Sequence, residues 1–247
     1  ATDPPNLCPL LHPAAAPPKA FAPMSFTTAQ RRAHYDDFVH QVITLCAVNS
    51  IRADLNSGFG RPIAECHRMP EHLTRHIAGF GAHRAHYTVA GLIAQDRDLP
   101  HENTPYQPEL VTPRKDHTAR ATITAPAATD APPPPGPAPA PQPGPAARPW
   151  RSRPDLGTHL AIAVARYGFK EATMTNRIKT LTKLDTPLLH PRLWSLTSHL
   201  HSRSAARLDF AVLLEDLAWW DHDQMETAAR WRENYFLTLH TLSSEEH

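Results

Sequence analysis

His72 and His76 stand four residues apart, a spacing that sets two imidazoles on one face of a helix, and His83 and His86 follow. Such a pair can hold a metal, but no carboxylate or Cys completes the set. With 17 His in the chain, pairs of this kind arise by chance, and surface or structural histidines are the simpler reading. His199 and His201, two apart, point to different helix faces. Asp221, Asp223 and Glu226 cluster near an expected helix start, where capping and the helix dipole explain acids better than acid–base chemistry does. GxxxxGK[ST], GxSxG and HExxH do not occur. Cys8, Cys46 and Cys66 form no CxxC pair and no even disulfide framework, so a reducing, cytoplasmic location is expected. Catalytic residues, metal and cofactors are therefore all expected to be absent.

Charge is more informative in its placement than in its sum. The 247 residues carry 25 Lys+Arg and 24 Asp+Glu. Leu156–Asp209 holds eight basic residues against three acids, and Phe210–His247 two Arg against eight acids, giving a basic front and an acidic back. A basic face on a neutral protein attracts polyanions through its local field. Lys179 and Lys183 share a helix face and can track phosphates, Arg177 lies beside them, and Arg151 and Arg153 add charge further upstream. Ser25–Pro100 has eight Arg and no Lys, which suits bidentate phosphate contacts but equally follows from a high-GC codon bias. The alternative is that these charges are solvated helix faces paired within the fold.

Helices must position these groups. Tyr35, Phe38, Val39, Val42 and Leu45 make one helical stripe, with Thr27 or Thr28 as its cap. Gly58 and Gly60 interrupt the pattern, a short helix follows Pro70, and another covers about 83–96. In the second half Asp155 caps a helix carrying Leu156, Leu160, Ala163, Val164 and Tyr167. Four further stripes follow, at Met174–Leu181, Leu189–Leu200, Phe210–Leu217 and Ala228–Leu239. No sustained alternating β pattern occurs, and no run of about 18 apolar residues offers a membrane span. Eleven Pro in residues 126–149 favour extended polyproline II, a semi-stiff spacer. The expected fold is all-α, with two small helical bundles joined by a Pro-rich linker. Its parts are a disordered Pro/Ala-rich tail at 1–24, bundles at 25–100 and 155–247, and the linker at 101–154. Each bundle is small enough that docking onto the other, or onto a partner, is expected. Met24 is the expected native start, and the N-terminus does not read as a secretory signal.

The order of motifs carries a resemblance. Asp209, Phe210, Leu213, Leu214, Asp216, Leu217 and Trp220, followed by Arg230, Trp231 and Tyr235, resemble the closing D-[WYF]-x-x-L-L-x-D-L-x-x-W and R-W-x-x-x-[YF] blocks of one family. That family is the CasB-type small subunit of the type I-E CRISPR surveillance complex, Cascade. Asp155–Ala165 resembles its LG-x-x-LA segment, and Asn176–Leu200 its R-[LI]-x-x-L segment with the basic helix after it. Phe38–Cys66 and His86–Ala94 resemble its N-terminal bundle. The resemblance implies a non-enzymatic, all-helical protein. Its implied partners are the backbone and large subunits of Cascade, a second copy of itself, the guide RNA complex, and the target and displaced DNA strands. Carried over by position, Arg52, Arg177, Lys183, Arg192, Arg151 and Arg153 match basic positions of the family. Many relatives carry an arginine pair before the glycine turn where this chain has Asn56-Ser57, which leaves Arg61 as the substitute. The acidic last helices are expected to meet protein.

The expected function is thus sequence-blind grip on nucleic-acid backbone that stabilises target DNA in an R-loop, by Arg52, Arg61, Arg151, Arg153, Arg177, Lys179, Lys183 and Arg192. A stand-alone adaptor binding an acidic protein, its Pro-rich tether offered to PxxP-binding grooves, is the rival. A His-rich metalloenzyme is a third reading. Trp219 and Trp220 invite base stacking, although a core Trp220 and a Trp219 at a seam between helices is the simpler account.

Overall fold

Thr27 opens the first helix as the spacing requires: its hydroxyl accepts from the Gln30 amide N–H, while the Gln30 side chain reaches back to the Thr27 N–H at 2.8 Å. The computed structural model describes residues 26–58, 60–96, 149–203 and 208–245. The tail at 1–24, Cys8, Met24 and the Pro-rich stretch through residue 148 lie outside the described residues.

Eight α-helices, and no strand, make up the regular structure of the described residues apart from two short 3-10 turns. They are α1 (Thr28–Leu45), α2 (Asn49–Ser57), α3 (Met69–Ile77), α4 (His83–Gln95), α5 (Leu156–Tyr167), α6 (Glu171–Leu181), α7 (Thr186–His201) and α8 (Phe210–Glu245). The fold is all-α. Tyr35, Phe38, Val39 and Val42 are buried along α1, and the stripes of α5, α6 and α7 turn inward in the same way. The last two expected stripes lie on two helical segments that follow without a loop: α8 spans 36 residues and breaks where Asp223 leaves helical geometry (φ −122°, ψ 31°), between the stripes. Helix α2 is an addition. Its inward face offers only Leu55 as a fully buried apolar side chain, too short a pattern to stand out.

Helix α4 is buried on nearly every side and packs against α1, α2, α3, α7 and α8. Helix α5 lies along α8. Gly157 makes that seam possible, because a Cβ there would overlap the Trp231 backbone carbonyl. Trp231 packs at a tilt against Trp220 with centroids 4.9 Å apart, and both are buried. The Trp231 indole donates to Asp216 at 2.6 Å. Arg230 bonds the same carboxylate and approaches Asp155, the cap of α5, at 3.8 Å. The signature residues Gly157, Asp216, Trp220, Trp231 and Tyr235 are therefore packing residues, with Arg230 half exposed over Asp216 and Tyr235 also bonding Thr175 of α6 at 3.0 Å.

The two halves of the chain dock on each other across one continuous apolar core that runs from Tyr35 to Leu239. Polar ties cross the same boundary. Thr197 donates to Gln95 at 3.0 Å, Arg84 to the Pro187 carbonyl at 3.3 Å, and Arg32 to Glu215 at 2.8 Å.

Candidate nucleic-acid interface

Helices α6 and α7 run past each other and leave an open cleft of about 390 Å³ between them. Thr173, Asn176, Arg177 and Thr180 fall at i, i+3, i+4 and i+7 of α6, so one face of that helix looks into it. Arg192 and Ser195 answer from α7, and Leu181 and Leu196 supply apolar wall. Two of the eight expected cations, Arg177 and Arg192, thus meet in one concavity. Among the described residues no carboxylate lies within ion-pair distance of either guanidinium. Nη1 of Arg177 is shielded from solvent and donates to nothing among the described residues. Burial, with Arg177 and Arg203 nearby, holds the His199 imidazole below its ordinary pKa, so this corner keeps its positive charge on arginine.

A third cation approaches from the first half. Gly60, at φ +67°, lets its backbone close on Pro191 (3.3 Å from an ideal Cβ to the proline Cα), so the exposed Arg61 follows in a turn that packs on α7 one residue before Arg192. Lys179 and Lys183 are exposed at and just beyond the end of α6. At 100° per residue Lys179 stands about 160° round the helix from Arg177, so it lines the outside of α6 and not the cleft. Arg151 is exposed in the 3-10 turn Trp150–Ser152. Like Arg177 and Arg192, none of Arg61, Arg151, Lys179 and Lys183 is ion-paired with a described acid.

The remaining two expected cations are engaged inside the protein. Arg153 grips Asp209 through two bonds of 2.6 and 2.7 Å, reaches Asp36 at 2.7 Å, and stacks 4.4 Å over Trp150. Its side chain is 10 % exposed and that of Asp209 is 0 % exposed. Arg52 donates from Nε to the Cys46 carbonyl at 2.9 Å, holding the C-terminal end of α1. The fold accounts for the Arg153 guanidinium without an outside anion; Nη2 of Arg52 is shielded and, like Nη1 of Arg177, donates to nothing among the described residues.

The other chemical candidates also have internal partners. His72 lies 3.2 Å from Asp54, and His76 accepts from Arg75 at 3.0 Å. Among the described residues no three His, Cys, Asp or Glu side chains converge as a metal set. Burial pushes the Cys46 thiol up to about 11, and Cys66 donates to the Gly58 carbonyl at 3.2 Å. Asp221, Asp223 and Glu226 sit around the bend of α8, where Thr186 donates to Asp221. Trp220 is core, and Trp219 lies at the seam with α1 under the Arg31 guanidinium at 4.8 Å. Thr173, Asn176, Thr180 and Ser195 went unmarked in the sequence, although the first three form a polar helical stripe with Arg177 on α6.

Comparison with known proteins supplies the wider setting. The family model of the CRISPR-associated protein Cse2 matches residues 51–236. The chain is similar to a solved chain from a structure titled "CRISPR RNA-guided surveillance complex", with TM-score 0.62 and 22 % identity over 88 % of this chain and 99 % of that one. A second, from a "CRISPR RNA-guided surveillance complex, pre-nicking", gives TM-score 0.61 and 23 % identity over 87 % and 99 %. At that identity the likeness speaks for the fold. Among the curated proteins no significant match is found. No helix of the described residues is long and apolar enough to cross a membrane.

Proposed function

Because the chain belongs to the family of the CRISPR-associated protein Cse2, we propose that it is a non-catalytic subunit of an RNA-guided surveillance complex of the Cascade type, gripping nucleic-acid backbone so that target DNA stays open against the guide. The observation that carries this reading is the set of cations without carboxylate partners around α6 and α7: Arg177 and Arg192 in the cleft, Arg61 beside it, Lys179 and Lys183 on the flank. A basic surface that served only the fold would be neutralised by its own acids, as Arg153 is. Replacing duplex DNA by a guide–target hybrid is close to balanced in free energy, so a few phosphate contacts tip it. Such contacts are blind to sequence and weaken with salt. The acidic surface of α8 would face protein subunits.

The test uses the reconstituted complex. Arg177→Gln with Arg192→Gln should weaken target binding about tenfold at low salt and lower the slope of log K against log salt by about two, since each of the two arginines would no longer neutralise a phosphate. Unaltered affinity and slope would reject the cleft as a phosphate site. Lys179→Ala with Lys183→Ala should shorten R-loop lifetime at low salt, with the difference shrinking at high salt. An unchanged lifetime at both removes the α6 flank from the interface.

A further inference from the structure

A surface that meets phosphate alone needs charge and donors, and the α6–α7 cleft has more than that. Its volume of about 390 Å³ falls within the range of sites that enclose a small molecule, roughly 300–1,000 Å³. Leu181 and Leu196, largely buried in the core, show the cleft an apolar floor, which is of no use to a phosphate and suits a base face or a sugar. The Asn176 amide and the Ser195 hydroxyl can each both donate and accept, and the Thr180 hydroxyl, which donates to the Asn176 backbone carbonyl at 2.8 Å, can still accept, so base edges find partners without strong selection. Nη1 of Arg177, shielded and without an acceptor, leaves a charge that an anion at the cleft would compensate. A duplex presents phosphates on a convex surface and keeps its bases stacked inside, so only an unpaired strand offers a base to a concavity of this size.

We propose that the α6–α7 cleft receives one unstacked nucleotide of a single strand, with its phosphate between Arg177 and Arg192 and its base or sugar against Leu181 and Leu196. The inference rests on the backbone-gripping function above and adds to it a place where a base, and not only a phosphate, is held.

The test is solution binding by the full-length chain to a fluorescent oligothymidylate and to an abasic strand of equal length. The oligothymidylate should bind at least about fivefold tighter, the low end of what one enclosed base contributes. Ser195→Trp fills the cleft without removing charge. It should erase this preference, with circular dichroism and the Tm reporting an intact fold, since Ser195 is exposed. Thymidine monophosphate should compete only weakly. Equal binding of both strands, or a base preference that survives Ser195→Trp, overturns the nucleotide site and leaves the backbone function standing. Tight competition by the free nucleotide overturns the assignment to a strand. Failure of both strands to bind overturns the backbone function and the nucleotide site together.

Discussion

Two arginines that look alike in the sequence have opposite duties. Arg153 is locked between Asp209 and Asp36, whereas Arg177 looks into a cleft with no acid within ion-pair distance among the described residues. Arg153→Ala strips the partner from a carboxylate that is fully buried, and should lower stability by about 3–5 kcal/mol in urea unfolding. The same variant should leave the salt slope of nucleic-acid binding unchanged. A lowered slope in a variant of normal stability would return Arg153 to the interface. Nothing in the sequence separates the two, because Asp209 lies 56 residues from Arg153 and only folding brings them together.

At the scale of helices, the α5–α8 seam explains why the motifs at both ends of the second half occur together. Gly157 and Trp231 touch backbone to backbone, and Asp155, Arg230 and Asp216 form a linked ion cluster beside them. Gly157→Ala should cost about 2–3 kcal/mol, seen as a lower Tm, because a carbonyl on a packed helix cannot swing aside as a flexible side chain can. An unchanged Tm would mean that α8 shifts freely along α5. Asp155→Ala should cost more than the ~1 kcal/mol of an ordinary cap, since Asp155 also accepts from Asn234 at 2.8 Å. Most helices were legible because their apolar stripes are long. The α2 helix was not, with Leu55 its single fully buried apolar residue, whereas the division of α8 was, since its kink at Asp223 falls between the two stripes.

The whole molecule should be sensitive to mild acid. Burial pushes His34, His86, His159 and His190 down to about 4, and His34 and His86 touch through Nε2 atoms 3.0 Å apart. An unfolded imidazole takes a proton near 6.5. Between these values the unfolded chain binds more protons, so stability present above pH 6.5 is lost as pH falls toward 4. For His159, wholly enclosed, the loss approaches about 3 kcal/mol. Asp216, pushed up to about 7 by burial, acts in the opposite sense: its folded form binds the extra proton between about 4 and 7, and acid favours the fold there. Four histidines outweigh one aspartate, so the Tm should fall from pH 6.5 to pH 4.5. His159→Gln, which keeps an acceptor for the Asp209 N–H, should flatten the fall. A Tm constant over that window would contradict the burial of these imidazoles.

Periodicity and breakers alone determined that this chain is helical, where most helices lie and which face of each turns inward, since those depend on residues three or four apart. The same local pattern marked the cations but could not say which would remain without acids. That was decided by tertiary structure, because pairing depends on side chains brought together from distant positions, as Asp209 meets Arg153 and the Gly60 turn meets Pro191. The cleft is likewise a property of two helices that flank it, Arg177 on one and Arg192 on the other, and neither helix contains it alone.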